Sequence, residues 1–202
     1  MKKSRQHSGD KKILCLLNGI RKKDCIALAK DFVSEIPWTR YCIHSLLDET
    51  RKQYFPAIEK PVTICFVKQE TLANIIYTPS EDQIRIHALM NHKDTPSEVI
   101  AFIIKHELLH IRIRPIEIKE KMISHPPEFW EAEKQIAPER ELIWSWVWVL
   151  FYGCLKRNKE EEKILVKKNW KKYMMFERIS LARAIEIITP MEKNKAEAMR
   201  YF

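Results

Sequence analysis

Between Thr95 and Pro115 the apolar residues Val99, Ile100, Phe102, Ile103, Ile104, Leu108, Leu109, Ile111 and Ile113 recur at helical spacing and leave little polar face. That pattern predicts a helix buried on most sides. Thr95-Pro96-Ser97-Glu98 supplies its start, with a capping Thr, a Pro at the first helical position and a Glu at the third. Pro115 places its end near Arg114. Upstream, Cys25, Leu28, Ala29, Phe32, Val33 and Ile36 predict a helix from Asp24, stopped by Pro37. Ile43, Leu46, Leu47 and Tyr54 predict a second helix, capped by Thr39 and ended by Pro56. The β-branched and aromatic run Pro61 to Lys68 reads as a strand, and Ile75 to Thr78 and Gln83 to His87 as two more. In the last, Ile84 and Ile86 face one way, Arg85 and His87 the other. Beyond the central helix come a linker, a short helix opening at Pro126 and Pro127, an apolar helix from about Pro138, and two charged helices to about Ile188.

The order helix, helix, strands, helix predicts an α+β fold with a small sheet. At 202 residues the chain fits one domain, expected over residues 13–202 behind a disordered basic tail at 1–12. The longest apolar run, Leu142 to Leu155, holds Trp144, Trp146, Trp148, Phe151 and Tyr152. It falls short of the ~20 residues needed to cross a bilayer, so a buried helix is expected and no transmembrane segment. An interfacial or partner-binding helix is the other use of so many aromatics.

Five cysteines with no CxxC pair point to reduced thiols, mostly packing as small apolar groups, in a cytoplasmic protein. The apolar run Ile13 to Leu17 is too short for a signal-peptide core. The net charge of +9 favours anionic partners. It gathers in residues 1–23 and in residues 156–178, where Lys167, Lys168, Lys171 and Lys172 interleave with Val166, Trp170, Tyr173 and Met174. A helix with a basic face and an aromatic face there could contact nucleic acid without sequence preference, against the blander reading of a solvated packing helix.

The chemistry is concentrated in His106-Glu107-Leu108-Leu109-His110. With 7 His in 202 residues, chance would write an HExxH string in roughly two or three of a hundred such chains, before any helical context is required. On a helix, positions i and i+4 share a face, so both imidazoles can reach one ion while Glu107 points about 100° away. A buried His-Glu-His cluster without a metal would be costly, and coordination removes that cost. Catalytic zinc takes three protein ligands and leaves a fourth position open. His125, in His-Pro-Pro-Glu-Phe-Trp, leads as the third ligand, with Glu128 and Glu131 as carboxylate alternatives. The cofactor expected is Zn2+.

Tyr54-Phe55 before the strand PVTICFVK, the strand EDQIRIHALM, then KHELLH and HPPEFW together resemble the SprT-like zinc metallopeptidases, which include the Spartan DNA-protein crosslink proteases. The resemblance spans roughly residues 38–137 and leaves 138–202 as a helical extension. It implies a small zincin-like domain in which His106, His110 and His125 bind zinc and Glu107 is the general base of peptide hydrolysis, on protein or peptide substrates that include DNA-associated proteins. It also implies that the strand Gln83 to His87 is the edge on which extended substrate pairs. Two departures stand out: Pro126 occupies a position where the family usually has Gly, and the zinc ribbon of many members is absent. Pro at a helix start is well tolerated, so His125 is expected just outside one. The rival function is a nucleic-acid-binding module in which zinc only holds the fold. The donor that stabilises the reacting carbonyl is not legible: His87, His92 and Arg112 lie near in sequence, each with an ordinary surface role as its simpler reading.

Overall fold

Nine side chains on one face of a three-stranded sheet explain where the central helix sits. The strands are β1 (Val62–Val67), β2 (Ala73–Tyr77) and β3 (Asp82–His87), in the order β1-β3-β2, with β1 parallel and β2 antiparallel to β3. Their register aligns Val62, Ile64 and Phe66 with Asp82, Ile84 and Ile86, and these in turn with Tyr77, Ile75 and Ala73. Aligned residues share a face, and Ile64, Phe66, Ile84 and Ile86 on it are all buried. Against this face packs α2 (Ser97–Arg112), whose Val99, Ile100, Phe102, Ile103, Ile104, Leu108 and Leu109 are buried, each worth roughly 1.5–3 kcal/mol. Before the sheet, α1 (Ile43–Tyr54) packs against α2 with Ile43 and Leu47.

The computed structural model describes residues 36–118, 121–158, 163–174 and 177–189. The helix expected from Asp24, the tail at 1–12 and the first basic block lie outside the described residues. After α2 a hairpin of β4 (Ile116–Ile118) and β5 (Lys121–Ile123) occupies the expected linker. Then follow α3 (Pro127–Ile136), α4 (Arg140–Phe151), the hairpin β6 (Leu155–Asn158) and β7 (Lys163–Val166), a 3-10 turn at Trp170–Tyr173, and α5 (Leu181–Ile188). The architecture is α+β, as the element order implied.

Several expectations are corrected. The cap of α2 is one residue late: Pro96 takes the cap position and Thr95 Oγ1 donates instead to Met90 O at 2.8 Å. The strand 82–87 is central, not an edge, because β1 and β2 occupy both its sides. Edge status is a property of the assembled sheet, so the free edge beside α2 belongs to β2. The charged helix expected over 156–178 is instead a hairpin followed by a 3-10 turn. Trp170 lies only 9% exposed against the His87 ring, so its indole is not available to stack on bases. Of the described cysteines, Cys154 is buried as expected, but Cys42 is exposed. The Trp-rich helix is buried through Trp146, Val147, Leu150 and Phe151, and among the described residues no helix is long and apolar enough to cross a membrane.

The C-terminal segment is tied to the start of α2. Arg178 donates to Thr95 Oγ1 at 2.8 Å and to Leu89 O at 2.6 Å, with its guanidinium 5.0 Å from the Phe151 ring. Beside it, His87 is buried, and its Nδ1 accepts the Leu89 N–H at 2.8 Å. Burial pushes the His87 imidazole down to about 4 from its ordinary 6.5. Between those two values the unfolded chain binds the proton and the folded chain does not, so stability is full above about 6.5 and lost as pH falls toward 4. The loss expected is on the order of 3 kcal/mol. Urea unfolding from pH 7 to pH 4.5 measures it. Asn at this position can still accept from Leu89 N–H, so His87→Asn is expected to flatten the slope; an unchanged slope would assign the acid sensitivity to other groups.

Candidate metal centre

Helix α2 presents His106 and His110 one turn apart, and the helix start of α3 brings His125 to them. Pro126 is the cap residue and Pro127 the first helical residue of α3, so His125 stands just outside the helix, as the paired prolines implied. A ligating nitrogen from each of the three histidines falls within 4.8 Å of the others. The Nε2 atoms of His106 and His125 face each other at 3.1 Å. Phe129, fully buried one turn into α3, forms the floor: its ring centroid is 5.1, 4.5 and 4.8 Å from those of His106, His110 and His125. The Trp130 ring lies tilted against His125 with centroids 4.9 Å apart.

The electrostatics suit a cation. Burial first, then the neighbouring His106, push His110 down to about 3, and His125 to about 3 for the same two reasons, so both rings are neutral with lone pairs to give. His110 Nδ1 is buried with no hydrogen-bond partner, a cost that a ligand set would be expected to offset. Burial works to lower His106 too, but its hydrogen bond to Glu133 and the charges of Glu107 and Glu133 prevail and raise it. These residues fit a divalent metal of the zinc type, for which three imidazoles and an open position are a known ligand set.

Glu133 is the residue that sequence reading missed. It is 1% exposed on α3; its Oε1 lies 2.6 Å from His106 Nδ1 and its Oε2 lies 2.6 Å from Arg140 Nε. Burial would raise its carboxyl, but His106 and Arg140 together hold it below the usual carboxylate range. With Nδ1 of His106 engaged, Nε2 is left to face the other histidines, and the ring cannot flip without breaking a charge-assisted bond. A Glu one turn after an aromatic floor residue is visible in Phe129-Trp130-Glu131-Ala132-Glu133, but only the packing of α3 on α2 selects it. Glu128 and Glu131 are exposed, and Glu131 pairs with Lys134 at 2.8 Å. Neither joins the cluster. Glu133→Gln is expected to weaken zinc binding by about 10- to 100-fold in a competitive-chelator titration; unchanged affinity would make Glu133 a packing residue only.

Glu107 is 4% exposed and is not one of the three clustered donors. Burial raises its carboxyl to about 7, partly opposed by His106. Two residues before it, Lys105 is buried as well and is held by Glu139 at 2.6 Å and the Tyr54 ring at 4.4 Å, which locks α2 to α4 and α1. Of the residues named for the carbonyl donor, His87 is enclosed, Arg112 is exposed, and His92 packs edge-on against Trp38 while its Nδ1 accepts from Asp94 N–H at 3.1 Å. Comparison of the chain with family models, curated proteins and solved structures finds no match, so the chemistry of this site stands on its own residues.

Proposed function

We propose that the protein is a zinc-dependent peptidase with a zincin-like site of the SprT-like kind, in which His106, His110 and His125 hold the metal and Glu107 is the general base. One observation carries this reading: a desolvated carboxylate lies on the same helical turn as two histidines that a third, from just before α3, completes. Zinc in such a site supplies a Lewis acid that polarises the scissile carbonyl and brings the pKa of water to about 7. Glu107 takes one proton from the attacking water as the new C–O bond forms. When the peptide C–N bond breaks, the same carboxyl returns that proton to the leaving amine. One positioned carboxyl can do both. Glu133 holds the His106 ring in the orientation that binding needs. Extended substrate pairs along the free edge of β2, in the mode earlier assigned to residues 83–87.

A zinc that only held the fold would call for a fourth protein ligand. Among the described residues no further His, Cys, Asp or Glu joins the three, which favours an open catalytic position. Incubating the zinc-loaded protein with a peptide library and mapping new termini by mass spectrometry tests the reading. New termini are expected, and they disappear when zinc is chelated. A library left intact by the fully loaded protein would sink it.

A further inference from the structure

Amide hydrolysis needs a hydrogen-bond donor for the carbonyl oxygen, which gains charge as water adds, and removing one such donor typically costs about 10²–10³ in kcat. The three histidines are committed to the metal and Glu107 to the proton. What the tertiary fold adds beside them is Tyr77. It is the last residue of β2, the edge strand, and it lies on the sheet face that covers α2. Its hydroxyl donates to the backbone carbonyl of His110 at 3.0 Å. The side chain remains 39% exposed, and the Arg114 guanidinium stands 3.8 Å over its ring. After burial, the Arg114 guanidinium and then the Glu107 carboxylate act on the phenol electrostatically. A neutral donor therefore sits on the rim between the strand edge and the helical turn that carries Glu107 and His110.

We infer that Tyr77 is a catalytic residue whose hydroxyl leaves the His110 carbonyl and donates to the substrate carbonyl oxygen as that carbon becomes tetrahedral. The inference rests on the peptidase reading above. No proton changes hands: the O–H bond of Tyr77 is kept throughout. One neutral hydrogen bond is exchanged for a charge-assisted one, roughly twice as strong. The exchange is favourable only once charge has developed, so it stabilises the transition state over bound substrate. Arg114 keeps the ring in place through the exchange by stacking on its face. The bland alternative is a helix cap: the His110 carbonyl is among the last four of α2, which lack an intrahelical partner.

Tyr77→Phe separates the two, because it keeps the ring and the Arg114 contact and removes only the hydroxyl. Five quantities are measured on zinc-loaded protein: kcat and KM on a peptide the wild type cleaves, the Kd of a phosphinic pseudopeptide of that sequence as tetrahedral mimic, zinc content and melting temperature. We expect kcat to fall at least about 10-fold with KM nearly unchanged, and the mimic to bind at least about 10-fold more weakly. Zinc is expected to stay at one per chain. A cap alone would lower the melting temperature and leave kcat and the mimic's Kd, taken per zinc-loaded molecule, at wild-type values; that result overturns the inference. If the wild type cleaves and Glu107→Gln does not, while Tyr77→Phe matches the wild type, only the role of Tyr77 fails. If the wild type neither cleaves nor binds the mimic, the peptidase reading fails and this inference with it.

Discussion

Glu107→Gln is expected to lower peptide hydrolysis by at least about 10²-fold, the lower end of what a general base contributes, while keeping zinc and fold. The amide has the size and shape of the carboxyl but cannot accept the water's proton at neutral pH. Its tolerance by the fold follows from the surroundings: Glu107 is 4% exposed, and burial already raises its carboxyl to about 7, so a neutral group in this place costs little. Turnover on any peptide that the wild type cleaves, together with zinc content by emission spectroscopy, decides the matter. Equal turnover would remove Glu107 from the mechanism. Loss of zinc would make it a structural group.

Saturating zinc is expected to raise the melting temperature by an amount that His125→Ala abolishes and Glu128→Ala leaves intact. A ligand that binds only the folded state stabilises it by about 4 kcal/mol at a thousand times its Kd. For a chain of this size that corresponds to a rise on the order of 10 °C. His125 is the informative ligand to remove, since it comes from the start of α3 and not from α2, so its loss uncouples the two helices at the metal. Glu128 is exposed in the first turn of α3 and serves only the helix dipole. Calorimetry with and without chelator measures both variants. A full zinc shift in His125→Ala with none in Glu128→Ala would reverse the ligand assignment.

What could be read from the chain alone is what one element settles within itself. The i, i+4 histidines follow from helix geometry, and the buried character of α2 from the spread of its apolar residues. The strands 62–67, 73–77 and 82–87 lie within a few residues of where their β-branched runs put them. The place of His125 just before a helix was legible as well, because the prolines after it mark a helix start wherever the rest of the chain goes. These are short-range constraints, set by backbone sterics and side-chain period.

Whatever required two elements to meet was decided by the tertiary structure. That β3 is central depends on β1 and β2 pairing on either side of it, and no feature of Gln83 to His87 encodes its neighbours. The same composition that suggested a basic helix over 156–178 forms a hairpin and a 3-10 turn, with Trp170 buried against His87. Glu133 and Tyr77 are one carboxylate and one phenol among many in the sequence. They acquire roles because α3 lies against α2, bringing Glu133 within 2.6 Å of His106, and because β2 ends beside the last turn of α2, bringing Tyr77 within 3.0 Å of the His110 carbonyl. The i, i+4 pair of histidines was thus written locally, whereas its meeting with His125 and the contacts of Glu133 and Tyr77 exist only once distant segments have packed, because hydrogen bonds and desolvation act over ångströms in space and not over positions in the chain.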